Sequence, residues 1–268
     1  MSFAAPLAEA LEPLRADPAH AAVLLDVDGV LAPIVRQPED AHVPEPTRRP
    51  LIAVARKYGL VACVSGRQAA TARRIVSLGS ITYIGNHGAE FLRGGTTEVE
   101  LDPEVAPWAR RVRDFARREL DNRDLRRLRV RGEDKDVIAA FHWRGSPDEA
   151  AAEELVREVA RRAEDAGLAI HWGRKVLEIR PPVELNKGRG VERLLEDADV
   201  RAAMYVGDDR TDLDAFAALR RLVAAGQLET ALRVGVRSDE TPPELESEAD
   251  LLVDGPPGVR ELLEALAA

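Results

Sequence analysis

Four segments of this chain carry side chains able to handle a phosphate ester: DVDG at Asp26–Gly29, VSGR at Val64–Arg67, NKG at Asn186–Gly188 and GDDRTDLDAF at Gly207–Phe216. Asp26 and Asp28 stand two apart where an apolar run ends, so both can project into one crevice while Gly29 lets the backbone turn close to a ligand. Taken alone, DVDG is equally a polar turn. For phosphoryl transfer the pair has a division of labour. One carboxylate attacks phosphorus to form an aspartyl-phosphate; its neighbour protonates the departing alkoxide and then deprotonates the hydrolytic water. Asp26 is expected to be the nucleophile and Asp28 the acid and base.

An anion attacking a phosphate dianion needs positive charge that is in place beforehand. Asp208, Asp209 and Asp212 form an all-oxygen cluster that suits Mg²⁺. Asp208 is expected to be a direct ligand, with Asp209 and Asp212 supporting it from behind and Asp214 capping a helix or facing solvent. Lys187 opens a predicted helix, where the macrodipole disfavours a cation, and is expected to bridge the nucleophile and the phosphoryl group. Composition sharpens this reading: of 38 basic residues 34 are Arg, and the lysines are Lys57, Lys135, Lys175 and Lys187. A lysine here can mark a place that wants a compact ammonium; Lys57, beside Arg56 on a predicted helix, is incidental. The Ser65 hydroxyl and the Gly66 amide, heading the next helix, can cradle phosphate oxygens. A plain Ser N-cap has the same sequence.

These residues need a scaffold that delivers them to one place. Ala21–Leu25, Leu60–Val64 and Ala202–Val206 are continuous apolar runs that stop at Asp26, Ser65 and Gly207, as buried parallel strands do. Helices are predicted over Pro46–Tyr58, Gln68–Leu78, Gly188–Ala198 and Thr211–Leu222. The architecture is expected to be α/β, with ligands bound beyond the carboxyl ends of the strands. Between the Gly94-Gly95 and Pro181-Pro182 punctuation the pattern changes. An extended acidic piece (TTEVELDP) is followed by a helix near Pro107–Asp121, extended segments at Leu128–Val130 and Val137–Trp143, a helix over Asp148–Ala166 and extended pieces through Leu168–Ile179. This reads as an α+β domain over 95–182 inserted into a core formed by 1–94 and 183–268.

Bulk properties exclude several classes. The 268 residues are 45% hydrophobic and 32% charged, ordinary for a globular chain. A net charge of −9 gives no electrostatic footprint for nucleic acid or an anionic membrane. The ten arginines between Arg110 and Arg131 are interrupted by Asp114, Glu119, Asp121 and Asp124, as on a solvated, ion-paired helix face. The lone Cys63 lies in an apolar run, which leaves no intramolecular disulfide and no CxxC metal site. No run approaches the ~20 apolar residues of a membrane span, and the acidic N-terminal segment with Glu9, Glu12 and Asp17 has no signal-peptide pattern. A cytoplasmic protein is expected, with a monomer as the default.

With these residues assembled, the chain resembles the haloacid dehalogenase superfamily of phosphohydrolases along its whole length. The core motifs are DVDGV, VSGR, Lys187 and GDDRTD. More narrowly it resembles the trehalose-6-phosphate phosphatase family through YIGNHGAEF at Tyr83–Phe91, EDK and FHWR within Glu133–Arg144, GRKVLEIRPP at Gly173–Pro182, NKG and GDDRTDLDAF. The resemblance implies a Rossmann-like parallel-sheet core, with the inserted domain acting as a mobile cap over a sugar phosphate. It implies that Asp26, the Asp28 backbone carbonyl and Asp208 hold Mg²⁺. It places Asn86 and His87 among sugar-facing polar groups, although His87 before Gly88 equally fits a turn, and it gives Arg144, Lys175 and Glu178 as cap residues that grip glucosyl hydroxyls. The implied reaction is hydrolysis of trehalose 6-phosphate to trehalose and phosphate. The alternatives are a phosphatase for another glycosyl phosphate (sucrose phosphate, mannosyl-phosphoglycerate or glucosylglycerol phosphate) and a non-catalytic sugar-phosphate sensor; a phosphomutase is disfavoured. Two positions depart from the family pattern: Val30 replaces the usual Thr, removing a hydroxyl expected to orient the nucleophile, and Leu213 replaces a usual Glu.

Overall fold

In the computed structural model, which describes residues 4–35, 37–239 and 241–268, each apolar run becomes a buried strand that stops at a polar segment. The chain begins α1 (Ala4–Ala16), β1 (Ala21–Leu25), α2 (Glu45–Lys57), β2 (Leu60–Val64), α3 (Ala69–Val76), β3 (Thr82–Gly85), β4 (Glu90–Leu92) and β5 (Val99–Leu101). It continues through α4 (Ala106–Leu120), α5 (Arg123–Arg127), β6 (Arg131–Asp134), β7 (Ala139–His142), α6 (Glu149–Asp165), β8 (Ala169–Gly173) and β9 (Val176–Arg180). It ends with α7 (Lys187–Glu196), β10 (Ala202–Gly207), α8 (Asp212–Ala224), β11 (Thr230–Arg237), α9 (Pro243–Glu248), β12 (Leu251–Asp254) and α10 (Gly255–Ala267). Two compact units result: Met1–Glu100 with Leu185–Ala268, and Leu101–Glu184.

The larger unit holds an eight-stranded sheet in the order β12, β11, β10, β1, β2, β3, β4, β5. Neighbours run parallel from β12 to β3, and β3 pairs β4 antiparallel. Alternate residues of β1 feed two cores. Ala21, Val23 and Leu25 join Leu11 of α1, Leu51 of α2, Ile75 of α3 and Leu262 of α10. Ala22 and Leu24 join Leu194 of α7, Phe216 of α8 and Leu245 of α9. Burial on both faces explains why the strand sequences are continuously apolar rather than alternating. The parallel order aligns the ends of β1, β2 and β10, so Asp26, Ser65 and Asp208 all emerge at one edge.

The smaller unit is an antiparallel sheet in the order β6, β7, β9, β8. Of its strands β9 alternates, with Leu177 and Ile179 buried between partly exposed neighbours. Ala139, Phe141, Leu177 and Ile179 pack on Val112 and Phe115 of α4 and Val156 and Val159 of α6, whereas Glu133, Ala140, Glu178 and His171 stand in register across the other face. Two local expectations differ from the structure. Leu128–Val130 is not extended: the Asn122 side chain accepts from the Asp124 N–H at 2.9 Å and starts the short helix α5, which leaves through Arg129 at φ 54°, so the strand begins at Arg131. The extended piece containing Val99–Leu101, expected within the inserted block, is instead the last strand of the eight-stranded sheet.

Candidate active site

Asp26 is the first residue beyond β1, fixed by its N–H donating to Val206 O at 2.9 Å. The next residues turn sharply, with Gly29 at φ 78° and its N–H donating to Ala32 O at 2.8 Å. Gly29 is required twice over, because a Cβ there would lie 1.9 Å from Asp208 Oδ2. The turn thereby brings the first and last motifs together. Val30 is fully buried with Val27 and Leu31 in the apolar core, a setting that suits valine.

Lys187 enters from the first turn of α7, where Asn186 caps the helix by accepting from the Arg189 N–H at 2.8 Å. Only 2% exposed, its Nζ stands 3.0 Å from Asp26 Oδ2, 2.7 Å from Asp212 Oδ1 and 3.8 Å from Asp209 Oδ1. Burial alone would push the ammonium pKa down; Asp212 and then Asp26 outweigh it and hold the group charged, well above its ordinary value. Burial drives the Asp26 pKa up, opposed chiefly by Lys187.

The acidic segment after β10 divides its labour. Asp212 is fully buried, and both of its oxygens are engaged. Oδ1 accepts from Lys187 and from the Tyr205 hydroxyl, each at 2.7 Å, and Oδ2 accepts from the N–H groups of Asp208 (2.8 Å) and Asp209 (3.0 Å). Asp209 Oδ1 accepts from the Thr211 N–H (2.8 Å) and hydroxyl (2.7 Å), closing the turn into α8, and Asp214 is exposed in the first helical turn. Asp208 differs from both: its Oδ1 is buried with no hydrogen-bond partner, and burial, followed by Asp212 and Asp209, pushes its pKa up to about 7. Ligand oxygens of Asp26, Asp208 and Asp212 lie within 4.8 Å of one another. Since Asp212 is already saturated, the open valence falls to Asp26 and Asp208. An orphaned carboxylate oxygen with raised proton affinity fits a bound cation, which reverses that electrostatic balance.

Ser65 follows β2, its N–H donating to Ile84 O at 2.9 Å and its Oγ accepting from the Arg67 N–H at 3.1 Å. A cleft of about 390 Å³ is lined by Asp26, Asp28, Ser65, Gly66, Arg67, His87, Lys187, Asp208 and Asp209, with Ile34 at its rim. The His87 ring stands against Gly66, 2.7 Å from where a Cβ would be. Asn86, expected to face a sugar, is elsewhere: it is fully buried and its side-chain amide donates to Glu90 Oε1 at 2.6 Å.

Arg67 is the main residue missed by the sequence reading. Its Nε and Nη2 donate to the two Asp28 oxygens at 2.6 and 2.8 Å, a bidentate clamp on the expected acid and base. It lies within VSGR, yet nothing in the spacing signals a partner 39 residues away.

In the smaller unit the expected residues have separate partners. Lys175, at φ 62° in the turn between β8 and β9, is paired with Glu149, and Arg144 Nη2 donates to Arg174 O at 3.4 Å. Glu178 accepts from Lys135 Nζ at 3.1 Å and Arg180 Nε at 3.0 Å. Burial alone would raise its pKa; Lys135 and then Arg180 overcome this and lower it to about 2. Lys135 and Arg180 were not foreseen as members of this group.

Known proteins resemble this chain in sequence and in fold. A trehalose-phosphatase family model matches residues 24–257. An uncharacterized glycosyl hydrolase of Mycobacterium tuberculosis is 32% identical over 216 residues, covering 74% of this chain and 15% of that protein. A probable trehalose-phosphate phosphatase of Oryza sativa subsp. japonica is 32% identical over 207 residues, covering 74% of this chain and 55% of that one. The chain thus spans about half the length of the rice relative and far less of the mycobacterial one. Among solved structures, the C-terminal domain of a Candida albicans trehalose-6-phosphate phosphatase superposes with a TM-score of 0.69 at 21% identity, covering 97% of this chain and 96% of that one, a likeness of fold. With a family model matched from β1 into α10, this chain belongs to the trehalose-phosphatase family.

Proposed function

We propose that this protein hydrolyses trehalose 6-phosphate to trehalose and phosphate through an aspartyl-phosphate on Asp26, with Mg²⁺ as cofactor. One observation carries the reading: a buried ammonium stands 3.0 Å from Asp26, beside an Asp208 oxygen with no partner. The Asp26 carboxylate attacks phosphorus, and the bond from phosphorus to the sugar oxygen breaks as that oxygen takes a proton from Asp28. Asp28 then accepts a proton from the water that displaces Asp26 from phosphorus, releasing phosphate. Lys187 neutralises charge on the nucleophile and the transferring group, and Ser65 with the Gly66 amide holds the other phosphate oxygens. Asp26, the Asp28 carbonyl and Asp208 would hold Mg²⁺, which when bound supplies charge neutralisation for the two anions that must meet. For Asp28 to reach the leaving oxygen, Arg67 must yield one of its two bonds.

The family resemblance assigns the smaller unit the work of a cap, and Glu178, Lys175 and Arg144 supply polar groups suited to glucosyl hydroxyls. A pocket built of such groups discriminates strongly, because each one left unpaired by a wrong sugar is penalised. The test is phosphate release from a panel of sugar phosphates, with Mg²⁺ present and then chelated. Preferential release from trehalose 6-phosphate that stops on chelation is expected. Preference for another glycosyl phosphate would overturn the substrate assignment, and binding without release would identify a sensor.

A further inference from the structure

The turn Asn86–Gly88 joins three parts of the larger unit. Its backbone is left-handed at three successive residues, with φ of 47°, 55° and 100°, which is strained for the two that carry a Cβ. On one side the Asn86 N–H donates to Arg67 O at 2.8 Å and the His87 N–H to Ser65 O at 3.2 Å. On the other, Gly88 approaches α7 so closely that a Cβ would lie 2.7 Å from Asn186 O, next to Lys187. The turn therefore touches both the Ser65–Arg67 loop and the helix that delivers the ammonium.

A strained turn needs an anchor, and here it is a carboxylate. Glu90 follows on β4, is 2% exposed, and accepts from the Asn86 side-chain amide at 2.6 Å through Oε1 and from the Ala69 N–H at 2.8 Å through Oε2. Ala69 is the first residue of α3, directly after the Ser65–Arg67 loop. Burying a carboxylate is too costly to serve packing alone, and an apolar side chain could not hold two donors on separate segments.

We propose that Glu90 is the positioning residue of the phosphate cradle, locking the Asn86 turn to the start of α3 so that Ser65, Gly66, Arg67 and His87 keep one geometry. The role assigned to the cradle rests on the functional reading above; the locking itself does not. Glu90→Leu removes both acceptors. Glu90→Gln is the conservative variant: its carbonyl still accepts from the Ala69 N–H, and its amide donates to Asn86 Oδ1, which has no hydrogen-bond partner in the wild type, once the Asn86 amide turns over.

The experiment compares wild type, Glu90→Leu and Glu90→Gln by amide hydrogen exchange, by inorganic phosphate affinity in the presence of Mg²⁺ and by steady-state phosphate release. In Glu90→Leu, exchange over 65–69 and 86–88 should quicken, and kcat and phosphate affinity should each fall, by about tenfold or more. Glu90→Gln should keep all three within about threefold of wild type. Unchanged exchange in those segments of Glu90→Leu, a loss confined to Tm, or Glu90→Gln no better than Glu90→Leu would overturn the proposal. Should the wild type neither bind nor release phosphate, the functional reading falls, and the exchange data still decide the anchoring role.

Discussion

The two units both bury charged side chains, but they balance them in opposite ways. In the larger unit, Asp26, Asp209 and Asp212 converge on the ammonium of Lys187, leaving negative charge in excess and an oxygen of neighbouring Asp208 unmatched. In the smaller unit the single carboxylate of Glu178 is held by two cations, Lys135 and Arg180. The first arrangement has room for a further cation, whereas the second is satisfied internally. On the proposed reading, the unfinished set does the chemistry and the finished set holds a preorganised surface for the sugar.

This contrast breaks down if both networks respond alike to losing a cation or an anion. Lys187→Met should have the largest effect, since it leaves Asp26 and Asp212 buried without their counter-charge. A loss of about 3–5 kcal/mol in urea unfolding is expected, together with loss of phosphate release. Adding Asp212→Asn should return part of the stability and none of the activity. Stability close to wild type in the single variant would show that the carboxylates simply protonate when the ammonium is gone.

Arg67→Ala tests the clamp on Asp28 and should act on catalysis rather than stability. Release from trehalose 6-phosphate, whose alkoxide leaving group needs a proton, should slow by about ten- to a hundredfold. Burst-phase release of 4-nitrophenol from 4-nitrophenyl phosphate, whose leaving group needs no proton, should slow much less, while hydrolysis of the phosphoryl-enzyme, which needs Asp28 as base, slows alike for both substrates. A burst slowed as much as release from trehalose 6-phosphate would mean that Arg67 serves phosphate binding and not the aim of Asp28.

Glu178→Gln should show a distinctive pH dependence of stability. A carboxyl whose folded pKa lies at about 2, below its ordinary 4.5, contributes stability that is complete above 4.5 and lost as pH falls toward 2. Wild type should therefore exceed the variant by about 2–3 kcal/mol at neutral pH, with the gap closing between pH 4.5 and 2 in chemical unfolding. A constant gap across that range would contradict the ion-pair origin of the shift.

Much of the larger unit was legible because continuous apolar runs ending in polar residues allow few structures other than buried parallel strands; β1, β2 and β10 lie where those runs lie. The convergence of Asp26, Lys187 and Asp208 follows from that topology. What was not legible depended on partners remote in sequence or on local capping. No spacing rule joins Arg67 to Asp28 or Lys135 to Glu178, and the polar look of Asn86 gives no hint that Glu90 draws it inside. Leu128–Val130 was read as extended from its apolar residues, whereas the Asn122 cap upstream decides its conformation.

The central claim is that Asp26 forms a bond to phosphorus. Rapid quenching during turnover of trehalose 6-phosphate with Mg²⁺, followed by peptide mass spectrometry, should find a phosphoryl increment on the peptide bearing Asp26. Asp26→Asn should lack it and lose turnover by on the order of 10⁴-fold or more while still binding substrate. An unmodified peptide during rapid turnover, together with near-wild-type rates in Asp26→Asn, would contradict the account.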